Sequence, residues 1–522
     1  MASLSVLSKV LCSYNPSRDK EDFRKNMIRD FVKDLLKYLP AQIAPSLVGM
    51  IAIPIITRLF PPADYGNYVL VIATASVLTT IVGWLSMSII RFYPACERDG
   101  RLPELYGTVI KWLLISVITL TSIFPGVIFA ARAKLGNQLC YLMLIGTLIF
   151  VLDATFQTLQ HFLRAKRRVG WYSSFSIWRS VARLGIGIAL VVTFGFGIDG
   201  LLWGAVLSLA IAIPFLWKSA VGKISWGKGS SVELAKEMAK YGFPLVVGNL
   251  AAWILSLSDR YILEFFRGAH EVGIYSASYA ISEKSILLLA SLFMLASGPI
   301  SMNIWEKEGE KKSQEFISRL TRYYLLICLP AVVGLSVLAR PVIDVLTAPE
   351  YYQGFRIVPL VALGGFFLGL QQRFQAGLAF HKRTNLIMIG IITSGLLNLG
   401  LNFLLVPRYG YMAAAVTTVT SYAVLLVAMI IVSRRYFVWE FPLKSLAKAV
   451  CASSIMVAVI YPIGNSITAS PLINLIIAVF LGAAVYLVAL FLLKEIQPEE
   501  KELIRQIAVR CLPEKLTPAG WK

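Results

Sequence analysis

Acidic residues, cysteine and histidine are scarce in this chain of 522 residues. Only 29 residues are Asp or Glu against 50 Lys or Arg, and charged residues make up 15% of the sequence. The six cysteines lie far apart with no Cys-x-x-Cys pair, and there are three histidines, so neither a disulfide framework nor a metal site is predicted. The low charged fraction, with 57% apolar residues, excludes an ordinary soluble protein.

Long apolar runs dominate the rest of the chain. A helix needs about 20 apolar residues to cross roughly 30 Å of hydrocarbon, whereas barrel strands alternate over about ten residues. Fourteen suitable runs occur, at approximately residues 38–59, 67–90, 107–130, 139–161, 171–194, 198–217, 241–265, 274–302, 322–339, 356–379, 385–406, 411–433, 447–466 and 471–493. The sequence therefore predicts an all-α polytopic membrane protein with about 14 transmembrane helices.

The positive charges predict the orientation, because cytoplasmic loops are enriched in Lys and Arg. The even-numbered loops hold 22 of these residues and the odd-numbered loops hold six. We therefore predict a cell (inner, cytoplasmic) membrane protein with both termini in the cytoplasm, and a net charge of +21 that reflects topology and not nucleic-acid binding. No loop exceeds about 25 residues, which leaves no room for a catalytic domain and favours a transporter.

The chain also contains an internal repeat. Asp64-Tyr65-Gly66-Asn67-Tyr68 resembles Glu271-Val272-Gly273-Ile274-Tyr275 at an offset of 207, and Pro125 and Pro330 recur at an offset of 205. Matches in register predict two six-helix lobes. The predicted parts are a cytoplasmic N-terminal segment (1–37), an N-lobe (38–217), an inter-lobe loop (218–240), a C-lobe (241–433), two further helices (447–493) and a cytoplasmic tail (494–522).

Three stretches resemble signature sequences of a known family. They are Ile55-Ile56-Thr57-Arg58-Leu59-Phe60 followed by Asp64-Tyr65-Gly66-Asn67-Tyr68, then Ser258-Asp259-Arg260-Tyr261-Ile262-Leu263 before Val272-Gly273-Ile274-Tyr275, and Asn398 and Asn402 with Val406-Pro407-Arg408-Tyr409-Gly410-Tyr411. In this order they resemble the polysaccharide exporters of the multidrug/oligosaccharidyl-lipid/polysaccharide superfamily. The resemblance spans about residues 38–440.

The resemblance implies two lobes in a V-shaped structure around a central cationic cavity. It implies a flippase that moves a polyprenyl-pyrophosphate-linked oligosaccharide from the cytoplasmic to the outer leaflet, for O-antigen, capsule or exopolysaccharide assembly. The implied partners are that lipid-linked glycan and the membrane lipids, with a polysaccharide polymerase and export machinery as further candidates. No cofactor is predicted, because Gly222–Gly229 lacks the Ser or Thr of a phosphate-binding loop.

Ionisable side chains within the spans are candidates for function, because each costs about 2.5 to 3.5 kcal/mol to insert. Arg179 and Arg183 share a face of the fifth span, and Lys284 lies near the middle of the eighth. Arg373 lies beside Gln371 in the tenth span. We predict that these five residues bind the pyrophosphate, for which the planar guanidinium is well suited.

Several of these charges also have structural interpretations. Asp153 lies at the same depth in the membrane as Arg179, so an ion pair between them explains Arg179 as well as a ligand role does. If that pair forms, Arg183 is the stronger candidate ligand.

Other polar residues leave similar alternatives open. Glu283 either pairs with a neighbouring helix or carries a coupling proton. Near the outer helix ends, Arg58, Asp259 and Arg260 either extend to the membrane interface or form a gate. The asparagines Asn398 and Asn402 favour hydrogen bonds between helices over contacts with sugar.

Three other functions are compatible with the helix pattern. A multidrug antiporter of the same superfamily would place acidic groups in its cavity to bind organic cations. A membrane polymerase would need a long outer loop, which this sequence lacks. A scaffolding protein would have no use for paired repeats and charges within the membrane.

Overall fold

The computed structural model describes residues 40–41, 43–222, 229–463, 470–495 and 500. Across these residues the structure is helical, without a β-strand, which confirms the predicted all-α class. The α-helices are α1 (Ile43–Leu59), α2 (Pro62–Arg98), α3 (Leu102–Ala130), α4 (Arg132–Ala165), α5 (Val169–Phe194), α6 (Asp199–Ala220), α7 (Val232–Arg267), α8 (Ala269–Glu308), α9 (Glu310–Val337), α10 (Ala339–Leu346), α11 (Val358–Phe380), α12 (Thr384–Ser433), α13 (Leu443–Ile463) and α14 (Pro471–Leu492). A 3-10 helix, Pro349–Ile357, connects α10 to α11.

Eleven helical stretches among the described residues are long and apolar enough to cross a membrane. About fourteen spans were predicted, and three helices account for the difference between that number and eleven. The first, α1, is shorter than a full span, and α8 lies outside the eleven although it has 40 residues. The third, α12, has 50 residues, or about 75 Å at helical rise, and therefore contains two of the predicted spans.

A break at Gly410 divides α12 into two arms. This residue has φ 58° and ψ −143°, a left-handed conformation that favours glycine, and Pro407 precedes it. The carboxylate of Glu271, in the first turn of α8, accepts a hydrogen bond at 3.0 Å from the Tyr411 backbone nitrogen, at the start of the second arm. A Cβ at Gly410 would overlap this carboxylate, so both the conformation and the contact require glycine.

The first turns of α2 and α8 cross in close contact, and the repeated glycines form this crossing. A Cβ on Gly66 would overlap the carbonyl oxygen of Ala269, and a Cβ on Gly273 would overlap the carbonyl oxygen of Pro62. Residues 62 and 269 are themselves related by the offset of 207, so each half makes the same contact with the other. We call this end of the helix bundle the crossing end.

The two halves of the chain show corresponding helix pairs. In the first half α2 packs on α4, and in the second half α8 packs on α11. Between the halves, α7 runs along α2, where Ser88 donates a hydrogen bond to the Met238 carbonyl oxygen at 2.9 Å. Both α13 and α14 pack on α9.

The boundary between the halves differs from the predicted inter-lobe loop. Helix α7 begins at Val232, within the stretch 218–240, because the Ser231 side chain caps it by accepting a hydrogen bond from the Leu234 nitrogen at 3.2 Å. The cations Lys236 and Lys240 therefore lie on helical turns and not in a loop.

Candidate functional site

A cavity of about 620 Å³ lies within the first half of the chain, where α1, α4 and α5 face one another. Tyr65 and Tyr68 of α2 and Leu201 of α6 also line it, and Lys284 of α8 reaches it from the second half. We call the end of the bundle that carries the connection between α4 and α5 the basic end. Arg164 is exposed in the last turn of α4 at this end and lines the cavity opening.

Four cationic side chains line this cavity: Arg164, Arg179, Arg183 and Lys284. Arg179 and Arg183 are one turn apart on α5, so both face the cavity as their spacing predicts. None of the described residues that line the cavity is Asp or Glu. The cavity therefore presents positive charge in a part of the molecule that lies between membrane-spanning helices.

Among the described residues, Arg183 is held by an aromatic side chain and forms no ion pair with an acid. Its guanidinium donates a 2.7 Å hydrogen bond to the Tyr68 hydroxyl, and its Cζ lies 5.8 Å from the centre of the same ring. Tyr68 in turn stacks on Tyr65 at 6.2 Å. This arrangement orients the guanidinium without neutralising it, so its charge remains available to an anionic ligand.

Arg179, in contrast, is paired with an acid. Its guanidinium nitrogen lies 2.7 Å from a carboxylate oxygen of Asp153 on α4. That contact is an ion pair and not a well-aligned hydrogen bond, since the same oxygen has no hydrogen-bond partner among the described residues. The pairing anticipated from equal depth in the two helices is therefore present, and it reduces the charge that Arg179 offers to the cavity.

Lys284 belongs to the second half but lines the cavity of the first. A Cβ on Gly49 of α1 would overlap the Lys284 ammonium, so this glycine leaves room for the lysine beside α1. The cavity is therefore complete only when the two halves are in contact.

The other two predicted pyrophosphate ligands lie elsewhere. Arg373 is buried on α11 in the second half, with its guanidinium 5.4 Å from the centre of the Tyr324 ring. Gln371 is also buried, and its amide donates a 3.0 Å hydrogen bond to Gln375. Neither residue is among those that line the cavity.

The residues predicted as gate or coupling groups are distributed over both halves. Asp259 and Arg260 do not extend to the interface, because their exposed fractions are 1% and 4%. They contact each other at 2.9 Å, and Asp259 also accepts a hydrogen bond from the Tyr275 hydroxyl. Glu283, half-buried on α8, lies within electrostatic reach of Arg260.

Arg58 makes a direct contact between the halves. Its guanidinium donates a 2.9 Å hydrogen bond to the Val345 carbonyl oxygen on α10, while the side chain remains exposed. Nearby, the Tyr351 hydroxyl donates to the Phe60 carbonyl oxygen at 2.9 Å. Both hydrogen bonds lie near the crossing end, because Arg58 and Phe60 immediately precede α2.

Asn398 and Asn402 join the two arms of α12, as the hydrogen-bonding interpretation predicts. Asn402 donates to the Asn398 side-chain oxygen at 3.0 Å and accepts a hydrogen bond from Thr417 at 2.6 Å. Both asparagines are fully buried. Residues 223–228 of the rejected phosphate-binding loop lie outside the described residues.

Sequence reasoning missed the polar face of α4. Gln157, Gln160, His161 and Arg164 all line the cavity. With Asp153 they occupy positions i, i+4, i+7, i+8 and i+11, which lie on one face of the helix. This spacing is the signal that would have identified them.

Comparisons with known proteins find relatives in sequence and in fold. A probable low-salt glycan biosynthesis flippase of Haloferax volcanii is 23% identical over 419 residues, which is 79% of this chain and 86% of that protein. The lipid II flippase MurJ in an inward closed conformation has a TM-score of 0.70 at 18% identity, covering 86% of this chain and 96% of MurJ. An inward-facing multidrug resistance transporter of the MATE family has a TM-score of 0.63 at 14% identity. The match covers 83% of this chain and 97% of that transporter.

These structural likenesses show a shared fold for a multi-pass membrane protein. Residues 31–305, which are more than half of the chain, match the family described as polysaccharide biosynthesis protein. The resemblance first seen in three short stretches is therefore confirmed. The chain belongs to the polysaccharide biosynthesis protein family.

Proposed function

We propose that this protein is a flippase for a polyprenyl-pyrophosphate-linked oligosaccharide. It moves the glycan from the cytoplasmic to the outer leaflet for the assembly of a surface polysaccharide such as O-antigen, capsule or exopolysaccharide. A polysaccharide polymerase and export machinery would then receive the product. The relatives support the general class, because one of them is named as a probable glycan biosynthesis flippase.

The charge of the cavity is the observation that carries the proposal. Arg183 and Lys284 face the same space without an ion pair to an acid that lines it, and Arg164 stands at its opening. A diphosphate carries concentrated negative charge, and in a low-dielectric environment paired cations stabilise it strongly. An organic cation would be repelled by the same residues, which disfavours the multidrug antiporter despite the shared fold.

The crossing of α2 and α8 supports alternating access. The close contact at Gly66 and Gly273 covers one end of the bundle, while the cavity is lined by the exposed Arg164 at the other. With the predicted orientation the basic end is cytoplasmic, so this conformation would accept substrate from the side on which lipid-linked glycans are made. Transport would require the two halves to separate at the crossing.

Arg183→Ala tests the proposal. Purified protein is reconstituted into vesicles that contain a fluorescent polyprenyl-diphosphate oligosaccharide, and an impermeant reagent reports the fraction that has changed leaflet. We expect the variant to be slower by about tenfold or more, because a charge-assisted hydrogen bond corresponds to about 1.5 to 3 kcal/mol.

Arg408→Ala provides the control, because Arg408 is an exposed cation at the Gly410 break of α12 and lies outside the cavity. We expect this variant to move the probe at the unaltered rate. Unaltered protein that moves a fluorescent organic cation, but not the lipid-linked glycan, would identify the antiporter instead. Equal rates for Arg183→Ala and Arg408→Ala would remove Arg183 from the site.

A further inference from the structure

The cavity contains a second group of polar side chains, which are uncharged and lie closer to the basic end. Gln157, Gln160 and His161 of α4 line this region, opposite Tyr172 and Ser176 of α5. Gln160 is only 5% exposed, yet neither its amide nitrogen nor its amide oxygen has a hydrogen-bond partner among the described residues. The Nδ1 atom of His161 is also buried without a partner there.

Several other amides in the helices are paired, although the Oε1 atom of Gln372 on α11, outside the cavity, is also buried without a partner among the described residues. Gln157 donates to Asp153 at 2.9 Å, and Asn402 donates to Asn398 at 3.0 Å. Buried polar groups are nearly always hydrogen-bonded, because burial removes their contact with water. Gln160 therefore differs from the paired amides, and it does so in the wall of a cavity that is large enough for a ligand.

The position of Gln160 relative to the cations follows from the ion pair between α4 and α5. Asp153 and Arg179 are in contact and therefore lie at about the same height along the axis of the helix bundle. Gln160 is seven residues from Asp153 toward the basic end, and Arg183 is four residues from Arg179 toward the crossing end. At 1.5 Å per residue the two groups are about 16 Å apart along the bundle. The uncharged group therefore lies between the cavity opening and Arg183.

We propose that Gln160, with Gln157 and His161, forms a subsite for sugar units of the glycan that lie a few positions beyond the diphosphate. This inference rests on the proposed function. The side-chain amide presents two donors and an acceptor side by side, which matches neighbouring hydroxyl groups or an acetamido group of a neutral sugar. The half-buried Tyr172 ring lines the same region and offers apolar surface to the face of a sugar ring. The diphosphate binds at Arg183 and Lys284, and the glycan extends from it toward the basic end as far as Gln160.

Gln160→Met tests this subsite, since methionine has a similar shape and no strong hydrogen-bonding group. Binding to the full-length purified protein is measured with two probes, a short-chain polyprenyl diphosphate and the same lipid bearing a linear oligosaccharide of N-acetylhexosamine units long enough to span the distance from Arg183 to Gln160. We expect the variant to bind the glycosylated probe about tenfold more weakly, as for the loss of two hydrogen bonds, and to bind the bare diphosphate within about twofold of the unaltered protein.

Thr158→Val is the matched control. Thr158 lies on the same helix and is buried, but its hydroxyl contacts Ser86 of α2 at 3.1 Å and does not line the cavity. We expect both probes to bind this variant normally. The melting temperature without ligand provides a second readout. It should be unchanged or higher in Gln160→Met, because the variant removes an unpaired buried amide, whereas a structural role would lower it.

The outcomes separate the subsite from the proposed function. Equal weakening of both probes in Gln160→Met, or a lower melting temperature, would mean that Gln160 supports the fold and not the sugar. Unchanged binding of both probes would mean that water alone satisfies this amide. Each of these results would overturn the proposed sugar subsite. If the unaltered protein binds neither probe, the diphosphate site itself is wrong and the subsite fails with it.

Discussion

Arg179 and Arg183 carry the same charge one helical turn apart on α5, but their surroundings give them different properties. Asp153 pairs with Arg179, and Tyr68 holds Arg183. An ion pair at a cavity wall keeps two helices together, whereas a hydrogen bond that the arginine donates to a phenol oxygen leaves the net charge of the arginine in place. Under the proposed function the ligand role therefore belongs mainly to Arg183, while Arg179 contacts Asp153 between α4 and α5.

Asp153→Asn should separate these two roles of Arg179. We expect the free energy of unfolding to fall by about 1 to 2 kcal/mol, less than for a fully buried pair because Arg179 is 36% exposed. Affinity for a polyprenyl diphosphate should rise, because the released guanidinium adds charge to the cavity. Thermal unfolding and probe binding measure the two effects.

The double variant Asp153→Asn with Arg179→Gln completes this comparison. It should recover much of the lost stability, because no uncompensated charge remains, and its affinity should return to that of the unaltered protein. If Asp153→Asn alone leaves the affinity unchanged, the ion pair does not keep Arg179 from the ligand.

At the scale of helices, the crossing of α2 and α8 decides which end of the bundle is covered. The contact is backbone against backbone, since Gly66 faces the Ala269 carbonyl group and Gly273 faces that of Pro62. Small residues permit such close approach between membrane helices. Because each half contributes an equivalent glycine, the internal repeat itself produces a symmetric closure, and any side chain at either glycine would separate the helices.

Gly66→Val should therefore open the crossing end. A cysteine placed on the cavity wall at position 52 (Ala52→Cys) should react several-fold faster with an impermeant thiol reagent added on the crossing-end side, because the overlap with the Ala269 carbonyl forces α2 away from α8. Mass spectrometry of the labelled peptide measures the reaction.

Gly126→Val is the control for this experiment, since a Cβ at Gly126 of α3 has no atom within 4 Å. Its labelling rate should match that of the protein that carries Ala52→Cys alone. If Gly66→Val reacts no faster than this control, the crossing does not limit access to the cavity.

At the scale of the whole molecule, a cluster of charges attaches the last two helices to the second half. Glu495, which follows α14 and is buried, contacts Arg322 of α9 at 2.7 Å and Lys448 of α13 at 3.1 Å. Ser445 donates a 2.6 Å hydrogen bond to the same carboxylate, and Glu500 pairs with Arg322. Burial raises the pKa of Glu495, but the hydrogen bonds from Ser445, Arg322 and Lys448 outweigh it and lower the pKa below its usual value of 4.5.

This shift predicts how acid affects stability. A carboxyl group whose pKa is lower in the folded protein contributes stability above its unfolded pKa and loses it as the pH falls through the folded value. The melting temperature of the purified protein should therefore be insensitive to Glu495 from pH 7 to about pH 5 and should fall below about pH 4.5. Thermal unfolding between pH 7 and pH 3.5 measures this.

Glu495→Gln identifies the source of the acid sensitivity. This variant should be less stable at neutral pH, because the charge of Arg322 loses one partner, and its further loss of stability in acid should be smaller than in the unaltered protein. Parallel curves for the two proteins below pH 4.5 would show that Glu495 makes no contribution to the pH dependence.

The sequence by itself determined the helices, their approximate limits and several of their contacts. Apolar length fixes a membrane-spanning helix because the backbone must satisfy its own hydrogen bonds in lipid. The limits of the predicted spans 385–406 and 411–433 already left a break around Gly410, and equal depth in neighbouring spans made an ion pair of Asp153 with Arg179 one of two open interpretations. The asparagines of α12 were also predictable, since buried amides within a membrane must find partners on neighbouring helices.

Only the tertiary structure decided which polar residues share a cavity. Lys284 and Arg373 are both cations within helices of the second half, yet one lines the cavity of the first half and the other is buried beside Tyr324. The sequence could not tell which of these two cations lines the cavity, because lipid and protein interior are equally apolar. In a soluble protein the buried face of a helix is more apolar than its exposed face, but a helix in a membrane lacks this contrast. Depth follows from counting residues along one helix, whereas the direction of a side chain depends on how each helix is rotated against its neighbours.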